Sequence, residues 1–284
     1  MEETAQKKKW RSRLGFFIIF LILGLLVFLI GGYLTTIPKN TRSVVRIALP
    51  IIFLATTFVF YRIEHFKKYW QLSYAFFVAS FAILLTSLLS NWLLDVLNFS
   101  TTTMKGLAAA KVSDAFPIVL AILVLNKAAG GDSGSIYVQK GNLKRGLITG
   151  VIAFSIFGGL FYLQAKSLNI SYEQLVLWMP WVLVFVSVNA IMEELHFRGL
   201  FLRKLEPFLG RNLSNLAVAI VFTITHAPVK YTPNIYIFLV ILFALAMAWG
   251  DLMQKTDSIW GSVLFHAGAD LVIMIGILET FSSI

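Results

Sequence analysis

Within NAIMEELHFRGLFLR (residues 189–203), Glu193, Glu194, His196 and Arg198 interrupt an apolar run that begins near Leu175. A charged side chain at the bilayer centre costs about 2.5–3.5 kcal/mol on insertion scales, so such a cluster must face protein or water rather than lipid. Two later apolar runs carry further costly groups: His226 in AIVFTITHAP, and His266 with Asp270 in GSVLFHAGAD. Residues four apart share a helical face. Glu194 and Arg198 are therefore expected to form a structural ion pair, and His266 and Asp270 to lie on one stripe. Glu193 points about 100° away, with Asn189 one turn before it, and is left free for chemistry. A carboxylate beside an imidazole can hold a water and accept its proton; Glu193 and His226 are the candidate pair. A divalent metal such as zinc is the rival, with Glu193, His226 and His266 as ligands. HExxH is absent, which favours a mechanism that needs no cofactor. His196 lies about 60° from Glu193 on the wheel and is left outside the core set.

The elements that must position these groups follow from composition. Of 284 residues, 58% are hydrophobic and 13% charged, with a mean hydropathy of +0.80; soluble domains carry about a quarter charged residues. The chain therefore reads as an integral membrane protein, an all-α polytopic helical bundle. Cysteine is absent, which excludes disulfides, thiolate ligands, palmitoylation and a thiol nucleophile. The net charge of +10 is spread over short segments between apolar runs. It is read as topology determinants and contacts to membrane lipids, with no nucleic-acid partner.

Apolar runs at about 14–34, 46–63, 70–94, 113–126, 147–164, 175–203, 213–229, 234–253 and 258–279 predict eight to nine transmembrane helices. The fourth is short and holds Pro117; it is expected to be re-entrant or to join the amphipathic stretch 104–111, and without it there are eight. The first follows Lys7, Lys8, Lys9, Arg11 and Arg13, and is too long for the core of a signal peptide, so it is expected to stay as an uncleaved span. Nine spans place 16 Lys and Arg residues on the inner side and 7 on the outer, Lys105, Lys111 and Lys230 among the latter. That bias predicts a cytoplasmic N-terminus. Residues 127–146, containing AAGGDSGS, read as a flexible hinge dividing N-terminal helices (1–130) from a C-terminal core (147–284) that holds the buried polar groups. No internal repeat of the transporter kind is found.

At a rise of about 1.5 Å per residue, Glu193, His226 and His266 fall about 14–21 Å from the expected inner ends of their spans, so one shared site is geometrically consistent. Blander readings account for single residues: a satisfied core histidine for His226, an interhelical ion pair for Asp270.

Taken together, EExxxR (Glu193, Glu194, Arg198), FxxxH (Phe222, His226) and HxxxD (His266, Asp270), in that order on three successive regions, resemble the CPBP family of intramembrane proteases. That family groups type II CAAX prenyl endopeptidases with bacteriocin-processing, self-immunity and abortive-infection proteins. The wording EELHFRG is close to the family's usual EELLFRG, and the resemblance covers roughly 175–280. It implies water activation by Glu193 and His226, and oxyanion stabilisation by His266 and Asp270. An ionised Asp accepts hydrogen bonds only, so Asp270 must be protonated for that role or else orient His266 from behind.

The expected function is an intramembrane endopeptidase acting on a membrane-associated, prenylated or leader peptide. The alternative is a non-catalytic interaction or bacteriocin self-immunity protein on the same scaffold. The resemblance further suggests a bacterial plasma membrane.

Overall fold

The computed structural model describes residues 2–229 and 234–282, with side chains from Trp10 onward apart from those of residues 33, 280 and 282. Lys230 lies outside the described residues, as do the side chains of Lys7, Lys8 and Lys9. The helices are α1 (Glu2–Gly24), continued by a π-helical stretch Leu25–Tyr33, α2 (Lys39–Arg62), α3 (Trp70–Leu88), the short α4 (Trp92–Leu97), α5 (Met104–Ala128) and α6 (Leu143–Ser167). Then follow α7 (Tyr172–Glu193), a second π-helical stretch Glu194–Gly199, α8 (Leu200–Leu209), α9 (Arg211–Thr225), α10 (Ile235–Thr256) and α11 (Trp260–Ser282). Among the described residues there is no strand, and the chain is an all-α polytopic membrane bundle.

Among the described residues, eight stretches are long and apolar enough to cross a membrane. The fourth apolar run is one of them. Thr103 caps α5 by accepting from the Gly106 N–H at 3.2 Å, so the helix starts at Met104 and runs unbroken through Pro117 for 25 residues. The run that falls short is the seventh: α9 has 15 residues, about 22 Å against a hydrocarbon core of about 30 Å. It packs antiparallel to α10, with the Asn215 amide donating to Met247 O at 2.8 Å and Gln254 donating to Arg211 O at 3.2 Å. Its C-terminal end therefore stops inside the bundle, where Pro228 follows. The lipid-facing surface is carried by exposed rows such as Ile47, Ile51 and Phe58 of α2 and Ile148, Ile152 and Ile156 of α6.

The stretch read as a flexible hinge is a packed connection. Ile136 and Tyr137 are buried, Tyr137 O accepts from the Ile259 N–H at 2.9 Å, and the Asn142 N–H donates to Thr256 O at 2.6 Å. Gly141 takes a positive φ of 45°, and a Cβ there would come within 2.3 Å of Thr256 O. Burial, and then the Glu206 carboxylate that accepts from its hydroxyl, hold the Tyr137 phenol above its ordinary pKa. The segment is thus tied to the turn that starts α11.

That helix is set in place by glycines. A Cβ on Gly261 would lie 2.6 Å from Gly146 O, and one on Gly268 would lie 2.7 Å from the Phe154 Cα. Close backbone approach between small residues is what joins helices in lipid, where no hydrophobic effect drives association. It seats α11 against α6 and fixes the rotation at which His266 and Asp270 face inward.

Candidate active site

Glu193 ends α7, and the next residue opens the π-helical stretch, in which the Leu200 N–H reaches back five residues to Leu195 O. π-turns are rare and recur at functional sites. Here the turn falls on the residues that carry the buried charges. Glu194 and Arg198 are both fully buried, with Arg198 Nη1 donating to Glu194 Oε1 at 2.6 Å and Nη2 donating to Ala246 O at 3.2 Å. The guanidinium also lies over Phe222 and Trp249, at 4.7 and 5.2 Å from the ring centroids, a favourable arrangement for a cation out of water.

Glu194 has a second partner. His266 Nδ1 lies 2.8 Å from the same Oε1 and donates to it. The imidazole is stacked on Trp249 at 3.9 Å and 8°, with Phe222 edge-on at 5.9 Å. Its Nε2 faces Glu193 Oε2 and Asp270 Oδ1, each at 3.5 Å. Asp270 Oδ2 accepts from the Asn189 amide at 2.8 Å. Asp270 is thus held from behind by α7 while its other oxygen borders His266.

His226 follows the last residue of α9. Its Nδ1–H donates to Phe222 O at 2.8 Å, which turns Nε2 toward Glu193 Oε1 at 3.9 Å. That gap is too long for a direct hydrogen bond and suits one bridging water. Glu193, His226, His266, Asp270 and Asn189 line a cavity of about 260 Å³, walled elsewhere mainly by apolar residues such as Phe185, Leu242 and Met274. Among the described residues, no three His, Asp or Glu side chains converge in a metal-holding geometry.

The fold therefore brings Glu193, His226, His266 and Asp270 together around one cavity and places the Glu194–Arg198 pair behind His266. His196 is elsewhere: it points to α3, with Nε2 3.2 Å from Ala79 O, and packs edge-on against Phe28.

Two neighbours escaped sequence reasoning. Lys111, assigned to an outer loop, is the eighth residue of α5 and lines the cavity, its Nζ 5.1 Å from the Phe185 ring centroid. The signal for it was the capping threonine at 103, which puts Lys111 two turns inside a helix. Trp249, the platform under His266, carries no spacing signal.

Residues 175–272 match the family described as Type II CAAX prenyl endopeptidase Rce1-like. No curated protein and no solved structure matches the chain. The matched segment contains Asn189, Glu193, Glu194, Arg198, His226, His266 and Asp270, and does not contain Lys111. Over residues 175–272 the chain is thus similar to the Type II CAAX prenyl endopeptidase Rce1-like family, and the remainder of the chain lies outside the match.

Proposed function

We propose that the protein is an active intramembrane endopeptidase that hydrolyses a peptide bond of a membrane-associated, prenylated or leader peptide. The observation that carries the reading is the 3.9 Å gap between Glu193 Oε1 and His226 Nε2 on the wall of a cavity that also holds His266 and Asp270. A water in that gap donates one proton to Glu193 and is oriented by His226. Attack on the scissile carbonyl places negative charge on its oxygen, and His266 Nε2 lies on the same wall to meet it. Because Nδ1–H is donated to Glu194, a donor at Nε2 requires the imidazolium, and the carboxylates of Glu193, Glu194 and Asp270 surround that cation. Asp270 is then a positioning residue for His266, and Glu193 returns its proton to the leaving amine. No metal takes part in this scheme. The chemistry is assigned to residues 147–284, with 1–130 as flanking helices, in a bacterial plasma membrane with the N-terminus cytoplasmic.

The test is cleavage of membrane-tethered and prenylated peptides by the reconstituted protein, with Glu193→Ala and His226→Ala variants and a chelator. Loss of product in both folded variants, with indifference to the chelator, supports the scheme. Loss with the chelator moves the assignment to a metal held by Glu193, His226 and His266. If neither wild type nor variants cut and all keep the cellular role, the non-catalytic interaction or self-immunity reading replaces it.

A further inference from the structure

A second cavity of about 530 Å³ lies at the end of the bundle opposite the N-terminus of α7, between α1, the start of α3 and α8. Among the described residues its charged lining is entirely cationic: Arg13, Lys68, Arg203 and Lys204. Arg203 is already paired with Asp257. Lys204 is not: its Nζ is enclosed and, among the described residues, has no hydrogen-bond partner. It stands in the partition between this cavity and a neighbouring one of about 230 Å³. An ammonium withdrawn from water without a counter-charge is strongly disfavoured, so Lys204 calls for an anionic partner beyond the described residues.

The rest of the lining indicates the partner's chemistry. Phe16, Tyr69 and Phe208 form one stacked group, with Phe208 at 4.5 Å from Phe16 and 5.4 Å from Tyr69. Arg13 and Lys68 lie near the first residues of the first and third spans, and Lys204 near the last residues of the sixth. The cavity therefore sits at the depth of lipid headgroups, beside the exposed apolar residues Leu14 and Ile18 of α1. Lys and Arg around a pocket at this level, with an aromatic floor, match a phosphate group that accepts several charge-assisted hydrogen bonds. We infer that this cavity is a phosphate-binding site, filled by an anionic phospholipid headgroup or by a soluble phosphate. It is independent of the proteolytic reading, since it shares no residue with that site.

The test uses the full-length protein in detergent, titrated separately with phosphatidylglycerol, phosphatidylcholine and inorganic phosphate, and read by thermal unfolding and native mass spectrometry. Phosphatidylglycerol raises the melting temperature and stays bound; phosphatidylcholine does neither. Inorganic phosphate reproducing the whole shift identifies a soluble source, and phosphatidylglycerol alone acting identifies a lipid. Arg13→Gln with Lys68→Gln, both at the rim, weakens the response at least tenfold. Lys204→Met removes the unpaired ammonium, so the lipid-free protein melts higher while the response to phosphatidylglycerol disappears. Equal shifts by phosphatidylglycerol and phosphatidylcholine, or an unchanged response in the rim variant, overturn the assignment.

Discussion

Two stretches of this protein leave the α-helical ladder for hydrogen bonds that reach back five residues, Leu25–Tyr33 and Glu194–Gly199, and they pack against each other. Phe28 of the first stacks on Phe197 of the second at 4.1 Å and meets His196 edge-on at 4.9 Å. The first is apolar, and carbonyls at its loosened end, Gly31 O and Gly32 O, accept from the Arg46 guanidinium at 2.6 and 3.0 Å. The second carries Glu194, His196 and Arg198. The same backbone irregularity is thus closed off in one case and furnished with charge in the other. A widened turn does not make a site by itself; the site arises where α9 and α11 bring His226 and His266 against the second stretch.

Substitutions separate the two stretches, beginning with the largest effect. Glu193→Gln or His226→Ala is expected to lower the turnover number by about 10³-fold with unchanged melting, because general acid–base groups contribute roughly 10²–10⁴-fold; peptide cleavage by folded variants checks it. Arg198→Met strands the buried Glu194 carboxylate and is expected to cost about 3–5 kcal/mol of stability. Adding Glu194→Gln should restore most of that, which a double-mutant cycle in detergent measures. Phe28→Ala empties a buried position of the apolar stretch at about 3 kcal/mol, yet the folded fraction should cleave at the wild-type rate; a slowed folded fraction would tie the first stretch to the chemistry. Asp270→Ala is expected to slow cleavage about tenfold by loosening His266, as loss of an orienting partner does elsewhere, whereas Asp270→Asn stays within about threefold. Lys111→Met is the smallest, raising KM by about threefold and leaving kcat alone, in line with a part-solvated charge worth up to about 1 kcal/mol.

Much of this was legible from residue order. The fourth apolar run looked marginal because hydropathy begins at residue 113, while the helix begins at the Thr103 cap. The seventh looked like a full span because its apolar residues continue past the point at which the helix stops at Thr225. AAGGDSGS reads as flexible because glycine and serine lack local preference, yet Asn126 accepts from the Ser135 hydroxyl and donates to Asp132 O, and holds the segment down. Hydropathy averages over a window and sees neither caps nor distant hydrogen bonds.

By itself the sequence determined the membrane setting, the approximate spans, the four-residue spacing of Glu194 with Arg198 and of His266 with Asp270, and the rejection of these groups by lipid. Each of those is a property of one residue or one turn, since transfer cost and helical periodicity act locally. Only the tertiary structure decided that Glu194 serves His266 as well as Arg198, that Asn189 holds Asp270, that Lys111 reaches the cavity, and that α9 ends level with Glu193. Those outcomes depend on the rotation and depth of one helix against another. Contacts such as Gly146 on Gly261 and Asn215 on Met247 set them, between residues 115 and 32 positions apart along the chain.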